Sequence, residues 1–162
     1  MIIIDEGIVE RLVVTALKTG LNSWASEIEV TYPGEEPSQN RELYSVHLSG
    51  LNTDYRESPG GGRGGDTMTA QALLLIETPD KHLRERGLYA MGTMVSRVRK
   101  VLLEASMAGD NHVVEANGVM SVREAEANEE AGKGRAKVMQ VELLVTRSSG
   151  ETLATWTEQE ES

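Results

Sequence analysis

Between Met91 and Ala105 the apolar residues recur at Met91, Met94, Val95, Val98, Val101, Leu102 and Ala105. Steps of three and four place them along one face of a helix. Arg97, Arg99, Lys100 and Glu104 fall off that stripe, so the opposite face meets water. Upstream, Thr78-Pro79-Asp80 reads as a helix start: Thr78 as N-cap, Pro79 at the first helical position, Asp80 near the positive end of the dipole. Gly109, just before Asp110-Asn111, is placed to stop the helix. The segment from Thr78 to Ala108 therefore predicts one long helix, with strand-like stretches on both sides. It is a structural centre and carries no catalytic signature.

Asp5 is placed to cap a first helix, whose stripe is Ile8, Val9, Leu12, Val13, Ala16 and Leu17 and whose end is Gly20. Ser26 to Tyr32 alternates apolar and polar, as a half-buried strand does, and Pro33-Gly34 breaks it. Tyr44, Val46 and Leu48 mark a second strand. Leu73-Leu74-Leu75-Ile76 marks a central strand covered on both faces. Between them lies a polar stretch, Gly50 to Thr67, with Gly60-Gly61-Gly62-Arg63-Gly64-Gly65 at its heart. Ordering so many glycines is entropically expensive, so this is expected to be the long tip of a hairpin.

Asn117-Gly118 sits between two short β-prone runs and predicts a tight hairpin. A polar connection, Glu124 to Gly134, leads to a closing strand from Ala136 to Arg147 with Met139, Val141, Leu143 and Val145 on one face. The expected fold is α+β: a single, mostly antiparallel or mixed sheet with two helices packed on one face and a long β-hairpin loop. Residues 1–147 form one domain and residues 148–162 an acidic C-terminal tail whose closing residues fray.

The chain has 162 residues and no Phe, so its core is expected to be aliphatic. The formal net charge of −10 argues against a general nucleic-acid surface and against an anionic membrane surface. Without cysteine, thiolate metal sites and cysteine nucleophiles are excluded. The start Met1-Ile2-Ile3-Ile4-Asp5-Glu6 lacks the basic region of a signal peptide, and no run reaches the ~20 apolar residues of a membrane span, so a soluble cytoplasmic protein is expected.

The glycine stretch is no phosphate loop, because it holds Arg63 and leads into a strand where a Lys-Ser/Thr pair and a helix are needed. Its charges, Asp54, Arg56, Glu57, Arg63 and Asp66, suit a contact arm that pairs with another subunit. Arg97 and Arg99 on the outer helix face are the other candidate interface residues. His47, His82 and His112 stand at no ligand spacing and read as surface or capping histidines, so no metal is expected. Glu124, Glu126, Glu129 and Glu130 read as a solvated acidic loop, lacking the Asp/Asn spacing of a calcium loop. Ser49-Gly50 and Ser148-Ser149-Gly150 do not form a nucleophile elbow. No catalytic residue and no cofactor is expected.

The element order resembles that of the tail terminator (tail completion, or neck) proteins of long-tailed bacteriophages. The matching features are the helix Ile8-to-Leu17, the strand Glu27-to-Tyr32 before Pro33, the glycine-rich arm and the helix Met91-to-Leu102. A short strand, a hairpin and the closing strand Val138-to-Arg147 follow. The resemblance implies a structural virion protein, not an enzyme. It would form a homohexameric ring in the virion neck, assembled in the host cytoplasm. The ring would cap the last tail-tube subunits, stop their polymerisation and join the tail to the head connector protein. DNA would only pass through its lumen. The other reading of the same features is a different phage structural or assembly protein: a head–tail adaptor, a tail-tube subunit or a tail assembly chaperone. A small ligand-binding or enzymatic α+β domain is the third.

Overall fold

Asp5 opens the first helix of the computed structural model, which describes residues 4–22, 27–36, 38, 40–56 and 66–148. Its carboxylate accepts the N–H groups of Gly7 at 2.8 Å and Ile8 at 3.3 Å, satisfying two donors that the helix start leaves open. That helix, α1, runs Glu6–Gly20 and buries Val9, Leu12, Val13, Val14 and Leu17. Strand β1 follows at Ile28–Thr31, then β2 at Tyr44–Arg56 and β3 at Asp66–Pro79. Helices α2 (Asp80–Arg86) and α3 (Tyr89–Glu104) come next, then β4 (Met107–Gly109), β5 (His112–Ala125), a 3-10 turn at Glu129–Ala131 and β6 (Lys133–Arg147).

The six strands form one sheet in the order β1-β2-β3-β6-β5-β4. Only β1 and β2 pair in parallel, so the sheet is mixed and the expected α+β class holds. The expected β2–β3 hairpin forms, but its strands reach further than expected: pairing continues from Leu51 opposite Ala72 to Arg56 opposite Thr67, inside the stretch Gly50 to Thr67 read as a loop, with a register shift between Leu48 and Gly50. β3 is central, between β2 and β6. Met68, Ala70, Ala72, Leu74 and Ile76 on one of its faces are fully buried, and join Val46, Leu48, Met139, Val141, Leu143 and Val145 in one core with the stripes of α1 and α3. On the opposite face, Thr69, Gln71, Leu73 and Leu75 are only half-buried, so β3 is not sealed on both sides. There a polar ladder crosses three strands: Ser121 Oγ bonds Gln140 Oε1 at 3.2 Å, and Gln140 Nε2 bonds Gln71 Oε1.

Four sequence expectations about helices and turns are corrected. The stretch from Thr78 to Ala108 is two helices, because Gly87 sits at φ 62°, ψ −141°, a conformation that L side chains rarely adopt and that re-aims the chain. The expected start also shifts: Thr78 and Pro79 finish β3, and Asp80 is the first helical residue. Gly109 does not end a helix. Ala105 does so by turning extended (φ −72°, ψ 142°), and Gly109 closes β4. The tight hairpin is therefore β4–β5, turning on Asp110 (φ 48°) and Asn111 (φ 63°), two residue types that tolerate left-handed backbone. Asn117-Gly118 makes no turn; β5 runs straight through with register shifts at Ala116/Gly118 and Val119/Ser121, so the glycine serves a bulge.

The histidines are not a surface set. His112 is buried: its Nε2 accepts the Asp5 N–H at 3.0 Å, and its Nδ1 donates to the Asp110 carbonyl at 2.8 Å. It ties the start of α1 to the β4–β5 turn, which Arg11 also clasps through Asp110. The guanidinium holds the Asp110 carboxyl below its usual range, chiefly through that hydrogen bond. His82 is buried edge-on to Tyr44, ring centroids 4.8 Å apart, and its Nδ1 has no partner among the described residues. His47 is half-buried and bonds Thr31 Oγ1 at 2.6 Å.

Candidate interaction surfaces

The break at Gly87 has a consequence for the surface. In an unbroken helix Leu88 would lie three residues before Met91, on the core stripe. Instead it stands at the mouth of α3, 83% exposed, with Tyr89 beside it at 81%. Large apolar side chains so exposed are the kind of surface that protein contacts use. The face they begin continues along α3 through Gly92, Thr93 and Ser96 to Arg97 and Lys100, a shallow depression of about 550 Å³. Gly92 and Ser96 leave room for close approach of another backbone. Arg99 is exposed one residue before Lys100, so three cations cluster on this helix in a chain of net charge −10.

Next to this depression, and sharing Arg97 and Lys100 with it, a groove of about 510 Å³ runs between α3, α1 and β4, walled by Leu12, Ala16, Val101, Ala105 and Met107. The two helices press together at Gly20, where a Cβ would lie 2.4 Å from Val101 Cγ1.

The outer sheet face holds a polar cleft of about 810 Å³. Its floor is Ser45, His47, Leu75 and Glu77, and residues 124–130 wall it. Among the described residues, Glu35, Glu124, Glu126, Glu129 and Glu130 line it against one lining cation, Arg135. Glu77 is buried and accepts the Asn128 N–H at 3.1 Å, which fixes the acidic loop to the sheet. Glu124 is paired with Arg135 and Lys137; the Arg135 hydrogen bond, above all, holds its carboxyl below the ordinary value. Glu126, Glu129 and Glu130 are exposed and form no ion pair among the described residues. The acidic loop is exposed to solvent, as expected, and it also forms the wall of a concave surface.

Close by, Lys133 is buried and donates from Nζ to the Leu43 carbonyl. Burial lowers its pKa, opposed by the neighbouring Glu77 and Glu29 carboxylates. Among the described residues no group of three His, Asp or Glu could hold a metal ion.

The candidate interface residues divide. Asp54 is exposed on β2, opposite Thr69. Arg56 ends β2 and Asp66 begins β3, so the backbone brings both to the open end of that hairpin; nothing of their side chains is described. Glu57 and Arg63, the glycine arm between them, and the acidic tail beyond Ser148 lie outside the described residues. Arg97, half-buried, lines the α3 depression, and Arg99 is exposed on the flank of the same helix. Sequence reasoning missed Leu88 and Tyr89, which are legible as interface residues only once Gly87 is known to break the helix. It also missed the buried Lys133 and Glu77, which alternation alone does not distinguish from exposed strand positions.

No protein-family model matches the sequence, and no curated protein matches it. Among solved structures, one protein whose name states no function aligns with a TM-score of 0.45 at 10% identity, over 85% of this chain and 94% of its own. So loose a likeness carries no argument. No helix among the described residues is long and apolar enough to cross a membrane.

Proposed function

We propose that this protein is a structural subunit that works by packing against other protein chains, as a ring-forming terminator of a phage tail. The observation that carries the reading is the exposed pair Leu88 and Tyr89 at the head of a smooth, cationic helix face. An aromatic and a leucine more than four-fifths exposed gain most from being covered by a partner, and Tyr is among the residues that dominate interface energetics. A closed ring of identical subunits supplies that cover without a second kind of chain. The resemblance in element order adds what the ring would do: sit on the last ring of tail-tube protein, stop its growth and present a face to the head connector. Its net charge of −10 suits a lumen through which DNA slides without adhering, since like charges repel.

The test is absolute mass by light scattering after size-exclusion chromatography, with negative-stain imaging of the same peak and an elongation assay on purified tail tubes. The expected result is a discrete ring, six-fold by the resemblance, that blocks tube growth. Long tubes, or a monomer that leaves tube growth untouched, would overturn the reading.

A further inference from the structure

We infer that the cationic outer face of α3 (Arg97, Arg99 and Lys100) docks into the acidic cleft (Glu35, Glu126, Glu129 and Glu130) of a second copy of this chain. The inference rests on the ring reading and specifies how its subunits join.

Two observations lead to it. The first is charge segregation. The chain has 16 Lys and Arg against 26 Asp and Glu, yet three cations cluster on α3, and the described residues give Arg99 and Lys100 no ion pair. The cleft shows the opposite imbalance, with Arg135 its one lining cation among the described residues and already held by Glu124. Each surface carries the charge the other lacks, and such complementarity fixes register and raises the rate of encounter.

The second observation is placement. α3 buries Met91, Met94, Val98 and Leu102 in the core shared with Leu74 and Ile76, so its outer face looks away from that side of the sheet. The cleft floor is Leu75, Glu77, Ser45 and His47, the alternate residues of β2 and β3, which point to the opposite side. The two surfaces therefore lie on opposite sides of one sheet and cannot meet within a chain. Contact between them is head-to-tail, and head-to-tail contacts make closed rings or open helical filaments rather than two-fold dimers. A convex helix entering a concave cleft also brings Leu88 and Tyr89 within the covered zone, where half-buried Leu75 offers an apolar contact.

A charge-swap series tests this. Arg99→Glu with Lys100→Glu reverses the helix face, and Glu126→Lys with Glu129→Lys reverses the cleft wall; all four positions are exposed, so folding is checked simply by circular dichroism. Each pair of substitutions is expected to raise the concentration needed for self-association by at least about tenfold, through desolvated like-charge contact. Mixing the two variants should restore assembly with the two chains alternating, because each variant's helix face then meets a cleft of opposite charge. The chain carrying all four substitutions should assemble again. Lys18→Glu on α1, which lines neither surface, should leave assembly unchanged. Assembly that survives both reversals, while wild type forms rings, overturns this inference and leaves the ring reading standing. Wild type that stays monomeric at every concentration removes the ring reading and this inference with it.

Discussion

Gly20→Ala probes the closest approach that an added Cβ would meet among the described glycines. A Cβ built on Gly20 lies 2.4 Å from Val101 Cγ1, 2.8 Å from Cγ2 and 3.1 Å from Cβ. Carbon atoms pack favourably at about 3.5–4.0 Å, so the methyl must push α1 and α3 apart by roughly an ångström. Val101 can swing clear only by leaving the χ1 rotamer that a β-branched side chain strongly prefers in a helix. Overpacking of this kind costs about 1–3 kcal/mol. Against that, Ala gains up to about 1 kcal/mol of helix propensity over Gly inside a helix, and less at Gly20, the last residue of α1. The net expectation is a loss of about 1–2 kcal/mol, or roughly 2–8 °C in Tm for a domain of this size. The assay is urea unfolding followed by circular dichroism, with the midpoint falling at unchanged slope. Val101→Ala removes both offending methyls. In a double-mutant cycle it should recover most of the loss, with a coupling of about 1 kcal/mol or more. A Gly20→Ala protein as stable as wild type, or a deficit that Val101→Ala leaves intact, would refute the packing argument.

Further outcomes follow from other contacts. His112→Ala leaves the Asp5 N–H and the Asp110 carbonyl without their partner and should cost about 2–4 kcal/mol in urea unfolding, since two polar groups lose their bonds near a buried site. Lys133 has a pKa lowered by burial, so between its folded pKa and the unfolded 10.5 the unfolded state binds more protons, and this residue's contribution to stability rises with pH across that window. Subtracting the stability–pH curve of Lys133→Met from that of wild type should show a positive slope just below 10.5; a flat difference would sink the assignment. Leu88→Ser and Tyr89→Ser, at exposed sites, should leave Tm within about 1–2 °C. They should nonetheless weaken self-association in light scattering; a fall in Tm without loss of assembly would refute their role as contact residues.

Much of the fold was legible because the local code and the global structure agree. Asp5 reads as a cap and is one; the stripe from Met91 to Leu102 reads as a core face and is one; Met139, Val141, Leu143 and Val145 alternate into the core as written. The failures share a cause. Gly87, Gly109 and Gly118 each carry a permissive backbone, and sequence alone does not say whether a glycine will break a helix, close a strand or serve a bulge. The candidate surfaces were harder still. Arg97 and Arg99 were legible as outer-face residues because they fall off a helical stripe, whereas Leu88 and Tyr89 depend on where the break falls.

By itself, then, the sequence determined the elements whose signal is periodic: an amphipathic α1, the core face of α3, the β2–β3 pair and the alternating closing strand. Those follow from which residues prefer water, a property each side chain carries with it. Only the tertiary structure decided the strand order, the burial of His112 and Lys133, and the gathering of Glu35 with Glu126, Glu129 and Glu130 around one cleft on the side of the sheet away from α3. Those depend on contacts between residues far apart in the chain, and no local preference encodes which distant partner a strand or a charge will meet.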